Sequence, residues 1–195
     1  GKSGIHTLRN PHDAFAARLL LAEAAERTLD VQYYIWHDDL SGSLVLDEIE
    51  AAAHRGGAVR LLIDDNGIDG LDSRLAILDG LPKVAVRLYN PFRMRRLRAL
   101  EWLFDFRRLN SRMHAKSLTA DRQATIVGGR NIGDEYFGAR SKGQFDDLDV
   151  LAKGAVAIEV EQVFDRHWRS AAARPVSGVV GRISNRARRS ALRKA

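Results

Sequence analysis

The feature that most limits what this chain can become is the alternation of helix-period and strand-period segments over residues 13–89. Residues 13–27 carry Ala16, Leu19, Leu20 and Ala24 in helical rhythm, with Asn10 or Asp13 as the start. Residues 29–36 follow as a strand that is apolar almost throughout, which suits a strand covered on both faces. The cycle then repeats: a helix over 43–55 stopped by Gly56-Gly57, a strand over 58–63, a short helix over 71–81, and a strand over 84–89 broken by Asn90-Pro91. Alternation of this kind implies βαβ crossovers. It predicts an α/β fold with a mixed, mostly parallel sheet sandwiched between helices. A hairpin after residue 113, a strand over 145–152 and a helix over 156–170 extend it, and Pro175 and Gly178 mark the end of the compact part.

Composition narrows the options. A chain of 195 residues that is 45% hydrophobic is long enough for one well-buried domain and short for two. No run approaches the roughly 20 apolar residues of a membrane-spanning helix. With no cysteine, disulfides, Cys-ligated zinc and thiol catalysis are excluded together. The net charge of +6 is concentrated in residues 182–195, where Arg182, Arg186, Arg188, Arg189, Arg193 and Lys194 stand without an acid, so residues 1–181 are balanced. The expected organisation is therefore a lobe over residues 1–172 and a basic tail or linker over 173–195. Such a tail is a solvated terminus or an attractor of membrane or nucleic acid.

The chemistry concentrates in residues 113–136, MHAKSLTADRQATIVGGRNIGDEY. On a strand, His114 and Lys116 project from one face about 7 Å apart, a separation that suits two groups converging on one phosphate. Ala124-Thr125-Ile126-Val127 reads as a strand running into Gly128-Gly129, where backbone N–H groups bared by a tight turn would make an anion site, with Asn131 placed to cap the next segment. Asp121 falls on the other strand face from Lys116 and reads as the residue that ends the strand and fixes the turn.

The order His114-x-Lys116, Asp121, Gly128-Gly129-x-Asn131 resembles the HKD motif of the phospholipase D superfamily, and Gly128–Tyr136 resembles its bacterial cardiolipin synthase branch. Residues 31–36, 60–65, 89–92 and 145–150 agree with it, so the likeness covers roughly residues 5–170. It implies an enzyme acting on phospholipid phosphodiesters through a phosphohistidine. His114, Lys116, Asp121 and an acid 33 residues after the histidine, Asp147, would be catalytic, and Lys116, Gly128, Gly129 and Asn131 would hold the phosphate. Asp146 and Asp149 compete with Asp147 for the task of fixing the imidazole tautomer. No acid and histidine cluster reads as a metal cage, so a metal-independent reaction without cofactor is expected.

By the same resemblance the donor is a phosphatidylglycerol-like lipid, the acceptor an alcohol or water, and the protein lies peripherally on a bacterial membrane. Family enzymes have two such lobes and this sequence has one motif, so a second lobe or a homodimer partner is expected to complete the site. Two other readings stay open: a single-motif endonuclease acting as a homodimer, for which the basic tail speaks, and a non-catalytic lobe that binds lipid or protein. Residues 92–109, FRMRRLRALEWLFDFRRL, place Leu97, Trp102, Leu103, Phe104 and Phe106 among arginines, as a bilayer-facing segment or as an ordinary packed helix.

Overall fold

A computed structural model of the chain describes residues 2–139, 145 and 147–180, apart from the side chains of residues 96, 98, 99 and 102. Strand β1 (Ser3–Leu8) leads to helix α1 (Pro11–Glu23), followed by β2 (Thr28–Tyr33), α2 (Leu40–His54), β3 (Ala58–Asp64), α3 (Asp72–Leu78) and β4 (Val84–Tyr89). An arm carrying α4 (Arg98–Phe104) and α5 (Phe106–Leu109) comes next. The chain closes with β5 (Ser117–Ala120), β6 (Ala124–Gly128), β7 (Asp149–Gly154), α6 (Ala155–Arg169), β8 (Ala173–Pro175) and the single turn α7 (Val176–Val179). Asn10, not Asp13, starts α1, because its side chain accepts from the N–H groups of His12 at 2.8 Å and Asp13 at 3.3 Å, a cap that contributes about 1 kcal/mol.

Eight strands form one sheet in the order β1-β7-β6-β5-β2-β3-β4-β8. The α/β class and the mixed sheet flanked by helices stand as expected, but the parallel share is smaller than the alternation suggests. Only β2–β3 and β3–β4 are parallel, since among neighbouring strands of the sheet those alone are joined by single helical crossovers, α2 and α3. β5 and β6 form a hairpin, and β5, β7, β1 and β8 all enter antiparallel to their neighbours.

Both faces of the sheet are covered. Leu29, Val31 and Tyr33 of β2 and Val59, Leu61 and Ile63 of β3 bury against α1, α2 and α3 through Ala14, Ala22, Val45, Ile49 and Leu75. On the other face Leu62 packs with Met113 and with Phe164 and Trp168 of α6. This is why β3 is apolar at most positions, while β2 alternates Leu29, Val31 and Tyr33 with the buried Asp30 and Gln32, which bond to Arg60 and Ser117. The fold also runs past residue 172, where the lobe was expected to end: β8 pairs with β4 and Val176 is fully buried. The basic residues 182–195 lie outside the described residues.

Candidate active site

His114 and Lys116 do not sit on a strand. The β2–β5 ladder begins at the pair Gln32 and Ser117, one residue after Lys116. Upstream of that point the backbone of residues 111–113 is held by side chains instead of a neighbouring strand. Asp64, fully buried at the end of β3, accepts from the N–H of Met113 at 3.0 Å and from Arg112 Nη1 at 3.0 Å. Asn90 donates to the carbonyls of Arg108 at 2.6 Å and Ser111 at 2.9 Å. Burial pushes the Asp64 carboxyl up, and the N–H groups of Asn66 and Met113 together with Arg112 act against that push. A carboxylate at the carboxyl end of a central parallel strand thus delivers His114 to the surface, the place where open α/β sheets hold ligands.

His114 is exposed, and its imidazole packs on the ring of Tyr34 with centroids 4.2 Å apart and planes tilted by 52°. Lys116 is half-buried, donates to the carbonyl of His114 at 2.9 Å, and holds its ammonium 5.7 Å from the centroid of the same Tyr34 ring. Burial lowers the pKa of this ammonium, with Asp147 and Asp149 acting in the opposite direction. Asn131 is buried: its Oδ1 accepts from the N–H of Ile35 at 3.0 Å, and its Nδ2 donates to the hydroxyl of Tyr136 at 3.2 Å. The ring of Tyr136 in turn stacks on Phe145 at 5.0 Å. Burial, ahead of the other influences, raises the Tyr136 hydroxyl, and among those others are Asn131, Asp147 and Tyr34. His114, Lys116, Asn131 and Asp147 therefore share one neighbourhood around Tyr34 and Tyr136.

Three expectations are narrowed by the geometry. The first concerns Gly128 and Gly129, where two of the N–H groups after the strand are taken within the chain. Gly129 N–H donates to Leu148 at 3.0 Å, the next N–H, of Arg130, donates to Asp149 at 3.3 Å, and Gly128 is paired with Asp149 across β6 and β7. The glycines are there for close approach. A Cβ at Gly128 would lie 2.0 Å from Asp149 Oδ1, and one at Gly129 would lie 2.4 Å from Asp147 Oδ1.

The second concerns Asp121, which the structure does not bring to the cluster implied by the resemblance but places at the end of the strand, as its position in the alternation suggests. It stands at the other end of β5 with φ of 53°, and its carboxylate accepts from the N–H groups of Glu26 at 3.0 Å, Arg27 at 2.8 Å and Thr28 at 2.7 Å. The third concerns the acid paired with the histidine. Asp149 is buried in the core on Arg18 at 2.8 Å and Arg130 at 3.3 Å, and Asp146 lies outside the described residues. Asp147 is the described acid at the site, yet no hydrogen bond or ion pair joins it to His114 among the described residues. What touches the imidazole is Tyr34.

The arm over residues 92–109 is inverted relative to an ordinary surface helix. Its acids and several arginines point inward: Glu101 is buried and accepts from the N–H groups of Arg93 at 3.0 Å and Met94 at 2.7 Å and from Arg108, while Asp65 accepts from Phe92 N–H at 2.9 Å and from Arg95 at 2.7 Å. Leu97, Leu103, Phe104 and Phe106 face outward at 58%, 77%, 80% and 59% exposure. The side chain of Trp102 is outside the described residues.

Sequence reading missed Tyr34, Asp64, Asp65 and Tyr136. For the two aspartates a signal existed, since consecutive acids directly after an apolar β3 stand where a sheet of this class binds ligands. It also missed that His37, Asp39 and Glu135 bring three donor atoms within 4.8 Å of one another, enough for a metal ion. All three already have structural work: His37 Nδ1 meets Glu135 Oε1 at 2.9 Å, and Asp39 caps α2 through Gly42 N–H at 2.9 Å and holds Asp134 N–H at 2.8 Å. Beside this group lies a cleft of about 340 Å³ lined by Ile35, His37, Asp38, Asn66, Gly67 and Asp69.

Comparison with known proteins now bears on this geometry. Residues 19–168 match the family described as cardiolipin synthase, PLD-like domain. The chain is 53% identical over 180 residues to cardiolipin synthase C of Escherichia coli strain K12, covering 92% of this chain and 38% of that protein. It is 33% identical over 150 residues to a cardiolipin synthase of Staphylococcus aureus strain Mu50, covering 73% and 28% respectively. The chain thus spans about two fifths or less of the length of these relatives. Among solved structures, phosphatidylserine synthase of Haemophilus influenzae Rd KW20 superposes with a TM-score of 0.69 at 17% identity, over 97% of this chain and 42% of the other. The phospholipase D family member Nuc of Salmonella typhimurium does so with 0.64 at 14%, over 89% and 98%. These two show a shared fold, and the sequence relatives show more: the chain belongs to the phospholipase D-like domain family of the cardiolipin synthases.

Proposed function

We propose that this chain forms the half of a phosphatidyl-transferring active site that carries the nucleophile. A ring nitrogen of His114 attacks the phosphorus of a phospholipid phosphodiester, the bond from phosphorus to the head-group oxygen breaks, and the head-group alcohol leaves with a proton from an acid. The phosphohistidine so formed is attacked by the oxygen of an acceptor alcohol or of water. That oxygen surrenders its proton to the base left by the acid, the nitrogen–phosphorus bond breaks, and His114 is restored. The Lys116 ammonium and the second Nδ2 hydrogen of Asn131 hold the non-bridging oxygens, where charge builds in the transition state. Asp147 adds a negative field that keeps Lys116 protonated against burial. One histidine cannot be nucleophile and acid in the same step, so a second lobe or a second copy of the chain supplies the acid.

The observation that carries this reading is an exposed imidazole beside a half-buried ammonium at the carboxyl end of the sheet. The relatives named cardiolipin synthase support a phosphatidylglycerol-like donor and an alcohol acceptor. The inverted arm supports a peripheral position on the membrane, since fully burying one Leu or Phe side chain contributes about 1.5–3 kcal/mol and four of them suffice for reversible attachment. No helix among the described residues is long and apolar enough to cross a membrane.

The test is transfer and hydrolysis by a full-length protein carrying this chain, on phosphatidylglycerol vesicles and on a soluble phosphodiester. His114→Ala should lower both by about 10⁴-fold or more while leaving the melting temperature unchanged. Retained turnover in that variant would refute the assignment.

A further inference from the structure

His114 and Lys116 come side by side without the ladder that would ordinarily space them, because β5 starts only at Ser117. Their relative placement must come from side-chain contacts, and the described contacts converge on one residue. Tyr34 lies under both groups: the imidazole at 4.2 Å between centroids and the ammonium at 5.7 Å from the ring centroid, within the roughly 6 Å reach of a cation–π contact. Neither contact is what strand alternation would provide. Continued past Tyr33, the β2–β5 register would set Tyr34 opposite Ala115, with its side chain on the face away from His114 and Lys116. The chain bends at Tyr34 instead, and the ring meets both groups.

The platform is itself fixed. Immediately after Tyr34, the N–H of Ile35 donates to Asn131 Oδ1 at 3.0 Å and its carbonyl accepts from Ile132 N–H at 3.1 Å. The Tyr34 hydroxyl accepts from Asn66 Nδ2 at 3.5 Å, the long end of hydrogen bonding. The same short segment therefore ties down Asn131, the third group assigned to the phosphate. An aromatic face also suits what happens electrically. A neutral imidazole that bonds to phosphorus becomes cationic, and Lys116 must stay charged although half-buried.

We propose that the ring of Tyr34 is a positioning residue for phosphoryl transfer, the platform that sets the spacing and orientation of His114 and Lys116 toward one phosphate. The proposal rests on the nucleophile reading of His114 and goes beyond it by naming what holds the pair. Tyr34 does not react, and the ring rather than the hydroxyl does the positioning.

Tyr34→Phe and Tyr34→Leu in a full-length protein carrying this chain separate the two parts of the side chain. With a soluble phosphodiester, the Leu variant should lose about 100-fold in kcat with KM moved less than about threefold, since a misplacement of about 1 Å has that order of cost. The Phe variant should stay within about threefold of the parent by the same reasoning. The alkaline limb of kcat should move to lower pH in the Leu variant alone. The ammonium then keeps burial and its carboxylate neighbours Asp147 and Asp149 but loses the ring beneath it, while His114 contributes only its carbonyl. Equal losses in both variants would assign the effect to the hydroxyl and overturn the proposal, as would unchanged kcat in a folded Leu variant. If the Leu variant does not fold, the parent chain decides: NMR of the His114 imidazole protons should show upfield ring-current shifts that persist in the Phe variant, and unshifted resonances refute the platform. Because that readout needs no turnover, a protein inactive in every form with shifted resonances would fault the nucleophile reading, whereas an active one with unshifted resonances would fault only the role of Tyr34.

Discussion

The two ends of β5 carry residues of one motif and treat them in opposite ways. At the Asp121 end the aspartate's carboxylate and N–H are spent inside the chain: the carboxylate takes three backbone N–H groups at 2.7–3.0 Å, and the Asp121 N–H goes to the carbonyl of Thr28 at 2.9 Å. At the His114 end the imidazole is exposed on an aromatic ring, and the ammonium has a single carbonyl contact at 2.9 Å. Hydrogen-bonding capacity that folding has consumed cannot be offered to a substrate, so the first end is structural and the second keeps the capacity that the proposed chemistry needs. Membership in a motif does not distinguish the two. The local donor and acceptor balance does.

The comparison breaks most visibly at Lys116. Lys116→Met should reduce turnover of a soluble phosphodiester by about 10²- to 10³-fold, the usual loss on removing one donor to developing oxyanion charge, with the thermal midpoint unmoved. Since burial holds the ammonium below the usual lysine range, the parent enzyme should lose activity at lower pH than a free lysine would dictate. Insensitivity to this substitution would mean that the phosphate sits elsewhere.

Asp121 should show the reverse pattern. Burial tends to raise its carboxyl, but the N–H groups of Glu26, Thr28 and Arg27 outweigh that and leave it below the usual range. A carboxylate lowered by folding gives stability that is fully present above its unfolded value, near 4, and is lost as the pH falls through the folded one. Asp121→Ala should therefore destabilise the chain by about 1–2 kcal/mol at neutral pH, a modest figure because the freed N–H groups can reach water. Chemical denaturation of parent and variant should converge as the pH is lowered. A catalytic loss without a stability loss would reverse the assignment.

The smallest effect belongs to the arm. Leu103→Ser with Phe104→Ser removes the two most exposed large apolar side chains among the described residues, so binding to anionic vesicles should weaken several-fold, by about 1–2 kcal/mol for partly inserted groups, while hydrolysis of a soluble phosphodiester persists. Parallel loss on both substrates would make the arm part of the packed lobe.

Legibility in the sequence divides along the same line. β2, β3 and β4 were readable because both their faces are covered and most of their positions are apolar, with Thr28, Asp30, Gln32, Arg60, Asp64 and Arg87 as the exceptions. β1 was not, since of Ser3–Leu8 only Leu8 is buried, and β8 is three residues long and contains Pro175. His114, Lys116 and Asn131 were singled out by spacing, and the structure brings them into one neighbourhood. Tyr34 could not be, because alternation assigns it to the wrong face and a bend that no neighbouring residue type announces brings it to His114 and Lys116. Gly128-Gly129 was ambiguous for a physical reason as well: two glycines permit a bared anion turn or the close approach of another strand, and the positions of Asp147 and Asp149 establish the close approach. In the arm the hydrophobic pattern was visible, but its direction depended on Asp65 and Glu101 drawing the arginines and backbone inward.

The most direct measurement is the covalent intermediate itself. A full-length protein carrying this chain, mixed with a phosphodiester substrate and quenched at alkaline pH, where phosphohistidine survives, should yield under mass spectrometry a phosphoryl or phosphatidyl adduct on the peptide containing His114, absent from His114→Ala and diminished in Lys116→Met. An adduct on a different residue, or efficient turnover without any adduct at His114, would contradict the assignment of the exposed end of β5 as the nucleophile.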